Sequence, residues 1–335
     1  DADGRIVDVQ ADYVAACDGG RSTARMLLGI RMIGATYEQS WLVLAPINDP
    51  DQSREPLIYC DPNRPYVSIP GPRGRRRWEF MVLKGETEEE MTAPDGIRRL
   101  LEPHRDTMSL DIIRAKVYTF HARMAERWSA GRIFLLGDAA HLTPPFAAQG
   151  MNTGIRDAIN FAWKVAAVVK GTFGPELLCT YEQERRGHAQ RMIALAIRLG
   201  RLMMPTTTLH AYLLAGVLRA LSAVPAVKNC ILEMKYKPKP KFDEGFILPD
   251  RLDARRTLVG RMFPQPTVQS SHGQVIMLDE ALGSGFSLLR WHTDPTRAFE
   301  AVRDTIWSDI GAQQVCVVPQ GVQSVTGRNS TVVND

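Results

Sequence analysis

Short apolar runs separated by proline, glycine and aspartate dominate the first third of the chain. Residues 5–9 alternate and predict a short strand, and residues 13–17 form a compact apolar run that ends at Asp18-Gly19-Gly20, a buried strand followed by a turn. Residues 41–47, 57–60, 66–69 and 78–83 are β-prone and are punctuated by Asp61-Pro62-Asn63 and Pro70-Gly71-Pro72, which predicts an antiparallel sheet. A helix is expected over residues 93–101 and a further strand over 112–120. Residues 132–136 then read as a buried strand, 137–150 as a loop of small residues and prolines, and 152–170 as a helix. In that helix Ile155, Ile159, Ala162, Ala166 and Val169 recur at helical spacing, with Asn152 as the expected N-cap, Lys170 at the C-terminal end and Gly171 as the stop. Pro175 opens a helix through residue 186, and residues 189–204 continue as amphipathic helix. The alternation of Lys with Pro over residues 235–241 predicts an extended linker. Beyond it a strand (286–291), a helix (295–310) and a strand (315–318) form a βαβ-like unit.

The chain has 335 residues, of which 44% are hydrophobic and 23% charged, so extended disorder and fibrous repeats are excluded and about two domains are expected. The net charge of +4 is dispersed, which argues against nucleic acid as a partner and is compatible with an anionic small ligand. Cys17, Cys60, Cys179, Cys230 and Cys316 stand far apart without metal-ligand spacing, so neither a disulfide scaffold nor a bound metal is expected and a cytoplasmic setting fits. The longest apolar stretch, residues 211–227, carries Arg219 and Pro225 and is too short and interrupted to span a bilayer, and no signal peptide is visible. Opening without Met and stopping in mid-pattern, the sequence reads as a fragment.

Two constellations carry chemistry. The first is Asp18-Gly19-Gly20-Arg21-Ser22-Thr23-Ala24-Arg25, at the end of a buried strand. Its glycines permit a tight turn, Ser22 can cap a following helix, and Arg25 can meet a phosphate or pair with Asp18. An ordinary strand-to-helix turn with a surface arginine is the plain alternative. The second is Gly137-Asp138-Ala139-Ala140-His141, followed by Pro144-Pro145-Phe146-Ala147-Ala148-Gln149-Gly150-Met151-Asn152. It puts a carboxylate at the carboxyl edge of a strand, where open α/β sheets bind ligands, and leads into a helix N-terminus that favours negative charge.

These motifs, in this order and with a β-rich segment between them, resemble the second and third fingerprints of the class A FAD-dependent aromatic hydroxylases, the p-hydroxybenzoate hydroxylase-like flavin monooxygenases. The match continues through Asp157-Ala158, Asn160, Trp163-Lys164, Tyr181-Glu182 and Glu184-Arg185. Residues 118–123, the Lys-Pro linker through Gly245-Phe246, and residues 260–266 resemble the 3-(3-hydroxyphenyl)propionate hydroxylase subfamily. The resemblance implies an α/β, Rossmann-like FAD-binding fold with an inserted antiparallel β substrate domain and a partial thioredoxin-like C-terminal domain. The implied division is FAD-binding over 1–36 and 123–172, substrate-binding over 37–122, helical region and linker over 173–250, and thioredoxin-like over 251–335. It implies FAD and NAD(P)H as cofactors, with Asp18, Gly19, Arg25, Gly137, Asp138, Gly150, Met151 and Asn152 as cofactor-binding residues. Pro145, through its carbonyl, and Phe146 would line the catalytic pocket.

The implied reaction is hydroxylation of a phenolic acid such as 3-(3-hydroxyphenyl)propionate or 3-hydroxycinnamate through a flavin C4a-hydroperoxide. The implied partners are that phenol and O2, with a homodimer left open and no membrane. Two alternatives stand beside it: hydroxylation of a bulkier phenol, polyketide or antibiotic, and an inactive truncated flavin- or aromatic-binding fragment. The sequence departs from the family in lacking the N-terminal GxGxxG, in a truncated tail, and in carrying Ala147-Ala148 where relatives often carry glycine; the tail has no redox cysteines, so no disulfide chemistry is expected. The remaining residues read plainly. His121 is expected to be structural, His141 to orient its loop, residues 74–77 to form a solvated turn, and Met203, Met204 and residues 213–221 to be core or a dimer face.

Overall fold

The computed structural model describes residues 6–51, 53–106, 110–205, 207–253, 256–270, 273–302, 304–319 and 330–334. It divides into two compact units: Asp1–Val165 with Leu178–Phe246, and Ala166–Leu177 with Ile247–Asp335.

In chain order the first unit carries β1 (Val14–Ala16), α1 (Thr23–Leu27), β2 (Met32–Ile47), β3 (Leu57–Tyr59), β4 (Tyr66–Pro70), β5 (Arg76–Met81), α2 (Glu88–Thr92), α3 (Pro94–Leu101) and β6 (Asp111–Ala125). There follow β7 (Ser129–Ala130), β8 (Ile133–Leu135), β9 (His141–Leu142), α4 (Gly150–Val169), α5 (Thr180–Met203), α6 (Thr208–Ser222) and α7 (Pro225–Leu232). The strand expected at 5–9 is not formed at residues 6–9, and Arg5 lies outside the described residues.

The expected antiparallel sheet has six strands in the order β3-β4-β5-β2-β6-β9. Its spine is β2 against β6, paired from Met32↔Ala125 to Ile47↔Asp111, and it runs well beyond the apolar runs at the Met32↔Ala125 end. Strand alternation sends successive side chains to opposite faces. Leu42 and Leu44 pack with Trp78, Phe80, Met91 and Leu101 under α2 and α3, while Trp41 packs on the other side with Val67 and Met203. Both faces of the sheet are therefore buried here, which explains why these strands read as solid apolar runs. Gly34, at φ +132°, is required by close approach: a Cβ there would stand 2.2 Å from the Ala122 carbonyl oxygen.

A three-stranded sheet, β1-β8-β7, matters more for the site. β1 and β8 run parallel, with Val14 beside Ile133 and Ala16 beside Leu135. Two segments far apart in the chain thus end side by side, and each leads into one of the two motifs.

Three helical expectations change in the first unit. Gly187 does not interrupt the segment after Pro175, so a 3-10 turn at Pro175–Cys179 leads into a single helix, α5. α4 starts two residues early, at Gly150, so Asn152 lies in its first turn and is not its cap. The apolar stripe of α4 is not the face that is buried. Ile155, Ile159 and Val169 are 50%, 66% and 61% exposed, and the buried residues are Thr153, Asp157, Asn160, Phe161 and Lys164. Each of these polar side chains finds at least one partner, although Asn160 Oδ1 has none among the described residues.

The second unit holds β10 (Thr267–Ser270), β11 (Val275–Met277), α8 (Leu278–Leu282), β12 (Ser287–Trp291), α9 (Ile306–Asp309), β13 (Gln313–Val318) and β14 (Ser330–Asn334). Its sheet has the order β11-β10-β14-β13-β12, with β12, β13 and β14 parallel and β10–β11 an antiparallel hairpin. The helix expected over 295–310 shrinks to α9. Asp294 accepts the Thr296 amide at 2.9 Å and its hydroxyl at 2.6 Å, and Arg290 donates to the Ala298 carbonyl at 2.6 Å. Such side chain–backbone bonds compete with the helical ladder. Among the described residues no single helix is long and apolar enough to cross a membrane; α6 and α7 reach that length only together, bent by 107° at their break.

Candidate functional site

The first motif is built by a capped turn. Ser22 accepts the Arg25 amide at 3.0 Å and caps α1, and Asp18 accepts the Ala24 amide at 3.0 Å. Slight burial pushes the Asp18 carboxyl upward, but bonds from the Ser22 hydroxyl and the Ala24 and Thr23 amides outweigh it and hold the group below the ordinary carboxylate value. Gly19 turns at φ +79°. Arg25 neither pairs with Asp18 nor stands free. It is buried, and its guanidinium donates to the Ala139 carbonyl at 3.0 Å and the Gly20 carbonyl at 2.9 Å. One side chain therefore ties the first motif to the second.

The second motif rests on Asp157. This fully buried carboxylate of α4 meets His141 Nε2 at 2.7 Å, Arg185 Nε at 2.8 Å and the Gly137 amide at 3.2 Å. Gly137, at φ +57°, lies against α4 so closely that a Cβ on Gly154 would stand 3.3 Å from the Gly137 Cα. The turn is thereby seated on the opening of the helix. His141 orients the loop, as expected. A neighbouring buried set repeats the device: Glu184 receives Lys164 at 2.7 Å, the Asn160 amide group at 2.5 Å and the Phe246 amide at 2.9 Å. The side chain of Asp138 is exposed on this turn, while His141 Nδ1 and Thr143 Oγ1 are buried without a hydrogen-bond partner among the described residues.

Between turn and helix, a 3-10 turn at Pro145–Ala147 ends in Ala148, which adopts the left-handed conformation at φ 50°. The Pro145 carbonyl accepts the Ala148 amide at 2.7 Å, so one lone pair of that oxygen is already engaged. The first amide of α4 to reach back is that of Thr153, to the Gln149 carbonyl at 2.9 Å. The amides of Met151 and Asn152, both exposed residues, have no such acceptor among the described residues, as expected for the first turn of a helix.

Phe146 joins an aromatic cluster, with ring centroids 5.6 Å from Tyr37, 6.0 Å from Trp41 and 5.8 Å from Phe120. α5 approaches it through Gly200, where a Cβ would lie 2.6 Å from the Phe146 ring. Two polar atoms in this cluster, the Tyr37 hydroxyl and Trp41 Nε1, are buried without a hydrogen-bond partner among the described residues. Burial raises the Tyr37 phenol above its ordinary value, with Arg201 opposing. On the side of the first motif, a cavity of about 1230 Å³ is lined by Arg21, Arg25, Ser40, Lys116, His121 and Arg123, among others.

Elsewhere the plain readings divide. His121 Nδ1 meets Thr36 Oγ1 at 3.0 Å, a structural contact. Residues 74–77 are not simply a solvated turn: Arg76 is 2% exposed, donates to Ser68 at 2.6 Å and pairs with Asp51 at 3.3 Å. Met203 is core, but α6 buries no residue, so residues 213–221 are not core in this chain. All five cysteines are free. Sequence reasoning left Asp157, Arg185, Gly200, Tyr37 and Trp41 without a role. The polar stripe Thr153, Asp157, Asn160, Lys164, at helical spacing, was the available signal for the first two.

A family model described as FAD binding domain matches residues 1–196. The chain belongs to that FAD binding domain family. A second model, the HcaD C-terminal domain, matches residues 260–335. The chain is 42% identical over 318 residues to a 3-(3-hydroxy-phenyl)propionate/3-hydroxycinnamic acid hydroxylase of Burkholderia cenocepacia (strain HI2424), covering 95% of this chain and 58% of the relative. It is 41% identical over 319 residues to a protein of the same name from Klebsiella pneumoniae subsp. pneumoniae, covering 95% and 57%. The chain thus spans less than two thirds of the length of these relatives. Among solved structures, OxyS anhydrotetracycline hydroxylase from Streptomyces rimosus matches with a TM-score of 0.66 at 26% identity, over 91% of this chain and 59% of the other. Aklavinone-11 hydroxylase with FAD and aklavinone shares the fold, with a TM-score of 0.71 at 22% identity over 94% and 59%. The α/β flavoprotein monooxygenase fold and family expected from the motifs are those found.

Proposed function

We propose that this chain forms the flavin-ring and substrate portion of an FAD-dependent, NAD(P)H-using monooxygenase that hydroxylates a phenolic acid of the 3-(3-hydroxyphenyl)propionate or 3-hydroxycinnamate type. The observation that carries the reading is an exposed carboxylate, Asp138, on a turn seated against the start of a helix whose first amides are free. That donor and acceptor set fits the sugar-alcohol arm and ring edge of FAD. Asp138 would accept hydrogen bonds from the ribityl hydroxyls. The Met151 and Asn152 amides would face the pyrimidine edge, where the positive end of α4 favours negative charge. When bound, the flavin supplies hydride acceptance from the nicotinamide and the activation of O2.

The chain's own residues position and exclude. Gly137 and Gly150 let the backbone come close; Asp18 and Gly19 shape the first turn, and Arg25 ties it to the second and borders the large cavity, where the nicotinamide cofactor would approach. Pro145 and Phe146 close the ring side of the pocket, and the Phe146 cluster keeps water from it. The unpartnered Tyr37 hydroxyl and Trp41 indole N–H lie beside Phe146, where a phenol or carboxylate oxygen would satisfy them. The names of the relatives support a phenylpropanoid acid over a bulkier phenol.

Two measurements test the reading. Added FAD should lose fluorescence and co-elute with the purified chain, and Asp138→Ala should weaken uptake about tenfold, the scale of one hydrogen bond to a charged group. Protein that takes up no FAD refutes the flavin site. In the whole protein, NADH or NADPH oxidation should be stimulated by these acids; stimulation only by larger polycyclic phenols would overturn the substrate assignment.

A further inference from the structure

A second cavity, of about 320 Å³, lies among the second turn of α4, the middle of α5 and the Lys-Pro segment, all within the first unit. Its walls carry Arg156, Lys235, Lys237 and Lys239 against a single carboxylate, Glu233. Lys235 takes that carboxylate at 2.7 Å. Arg156, Lys237 and Lys239 have no carboxylate partner among the described residues. A fourth group is unusual: His188 lines the same cavity while only 3% exposed, and its Nδ1 has no hydrogen-bond partner among the described residues. Burial, with Arg185, Arg191 and Arg156 adding to it, lowers His188 to about 4, so at neutral pH it is an uncharged imidazole that can donate one N–H.

Leaving a buried polar atom unpaired costs free energy, and three cations around one cavity repel one another, though weakly where they face water. Both costs are removed by one ligand, an anion. A cation would aggravate them. Three unmatched charges around an uncharged donor suit a group bearing at least two negative charges better than a single carboxylate. The volume, at the low end of ligand pockets of roughly 300–1000 Å³, suits a compact group. Pro238 and Pro240 restrict the backbone on either side of Lys239, which lowers the entropy lost when that segment closes on a ligand.

We propose that this cavity binds a phosphate or diphosphate group. The site does not rest on the flavin reading above. Titration calorimetry of the purified chain with inorganic pyrophosphate should show one saturable site that weakens with salt. In the Arg156→Ala/Lys239→Ala double variant the affinity should fall at least tenfold. The imidazole nitrogen resonances of His188 should move on pyrophosphate addition. Competition by AMP assigns the group to a nucleotide; pyrophosphate and phosphate binding without AMP competition assigns it to the free ion. Absence of saturable heat, undiminished binding in the double variant, or unmoved His188 resonances would overturn the proposal, as would displacement of pyrophosphate by FAD but not by AMP. Should the double variant fail to fold, Lys239→Gln, at an exposed position, should still weaken binding several-fold with an unchanged circular dichroism spectrum.

Discussion

Ala148 occupies a left-handed position that costs an L-residue roughly 1–2 kcal/mol. Ala148→Gly should recover about 1 kcal/mol, less the added freedom of the unfolded chain, and raise the urea midpoint without moving the α4 opening. An unchanged or lower midpoint would mean that the Ala148 methyl is itself packed. His188 makes the opposite kind of demand. The unfolded chain binds a proton near pH 6.5 at this position, whereas the folded chain waits until about 4. Stability therefore falls as the pH drops from 6.5 to 4, by on the order of 3 kcal/mol in all, and this group contributes no slope above 6.5. In His188→Gln that part of the acid slope should vanish, as read by denaturant midpoints at pH 4.5, 5.5 and 7.

α4 shows where an element can mislead a reader of sequence. Apolar periodicity marked Ile155, Ile159 and Val169 as its inner face, yet the described chain buries Asp157, Asn160 and Lys164 instead. Hydrophobic pattern carries no information about partners supplied by another helix, and it is Arg185 and Glu184 of α5 that make polar burial tolerable. The strands were legible because their apolar runs and punctuation are local; the 295–310 segment was not, because Asp294 and Arg290 divert its backbone. Removing one member of a buried ion pair strands the other. Asp157→Ala should cost about 3–5 kcal/mol in chemical unfolding and release His141 and the Gly137 amide together. A loss below about 1 kcal/mol would show that Arg185 and His141 find other partners.

At the level of the molecule, the two motifs, their order and the β-rich segment between them were enough to place the chain in its family. The aromatic cluster around Phe146 was not readable, because Tyr37, Trp41, Phe120 and Gly200 converge only through the pairing of β2 with β6 and the approach of α5. The second unit has its own core of Val268, Leu278, Ala281 and Val315. Separate cores predict separable unfolding. Leu278→Ala, at 3% exposure, should cost about 2–5 kcal/mol in one calorimetric transition and leave FAD uptake unaltered. A uniform shift of all unfolding would show that the units melt as one.

Arg25 gives the first unit a mechanical property. Its guanidinium is a rivet through two hairpin-like bends that lie 114 positions apart in the chain. The bends are also joined through the β1–β8 pairing beneath them, so the guanidinium adds a second tie to the one the sheet already makes. Whatever seats against one bend therefore stiffens both, and a cargo arriving at the second finds its berth already braced.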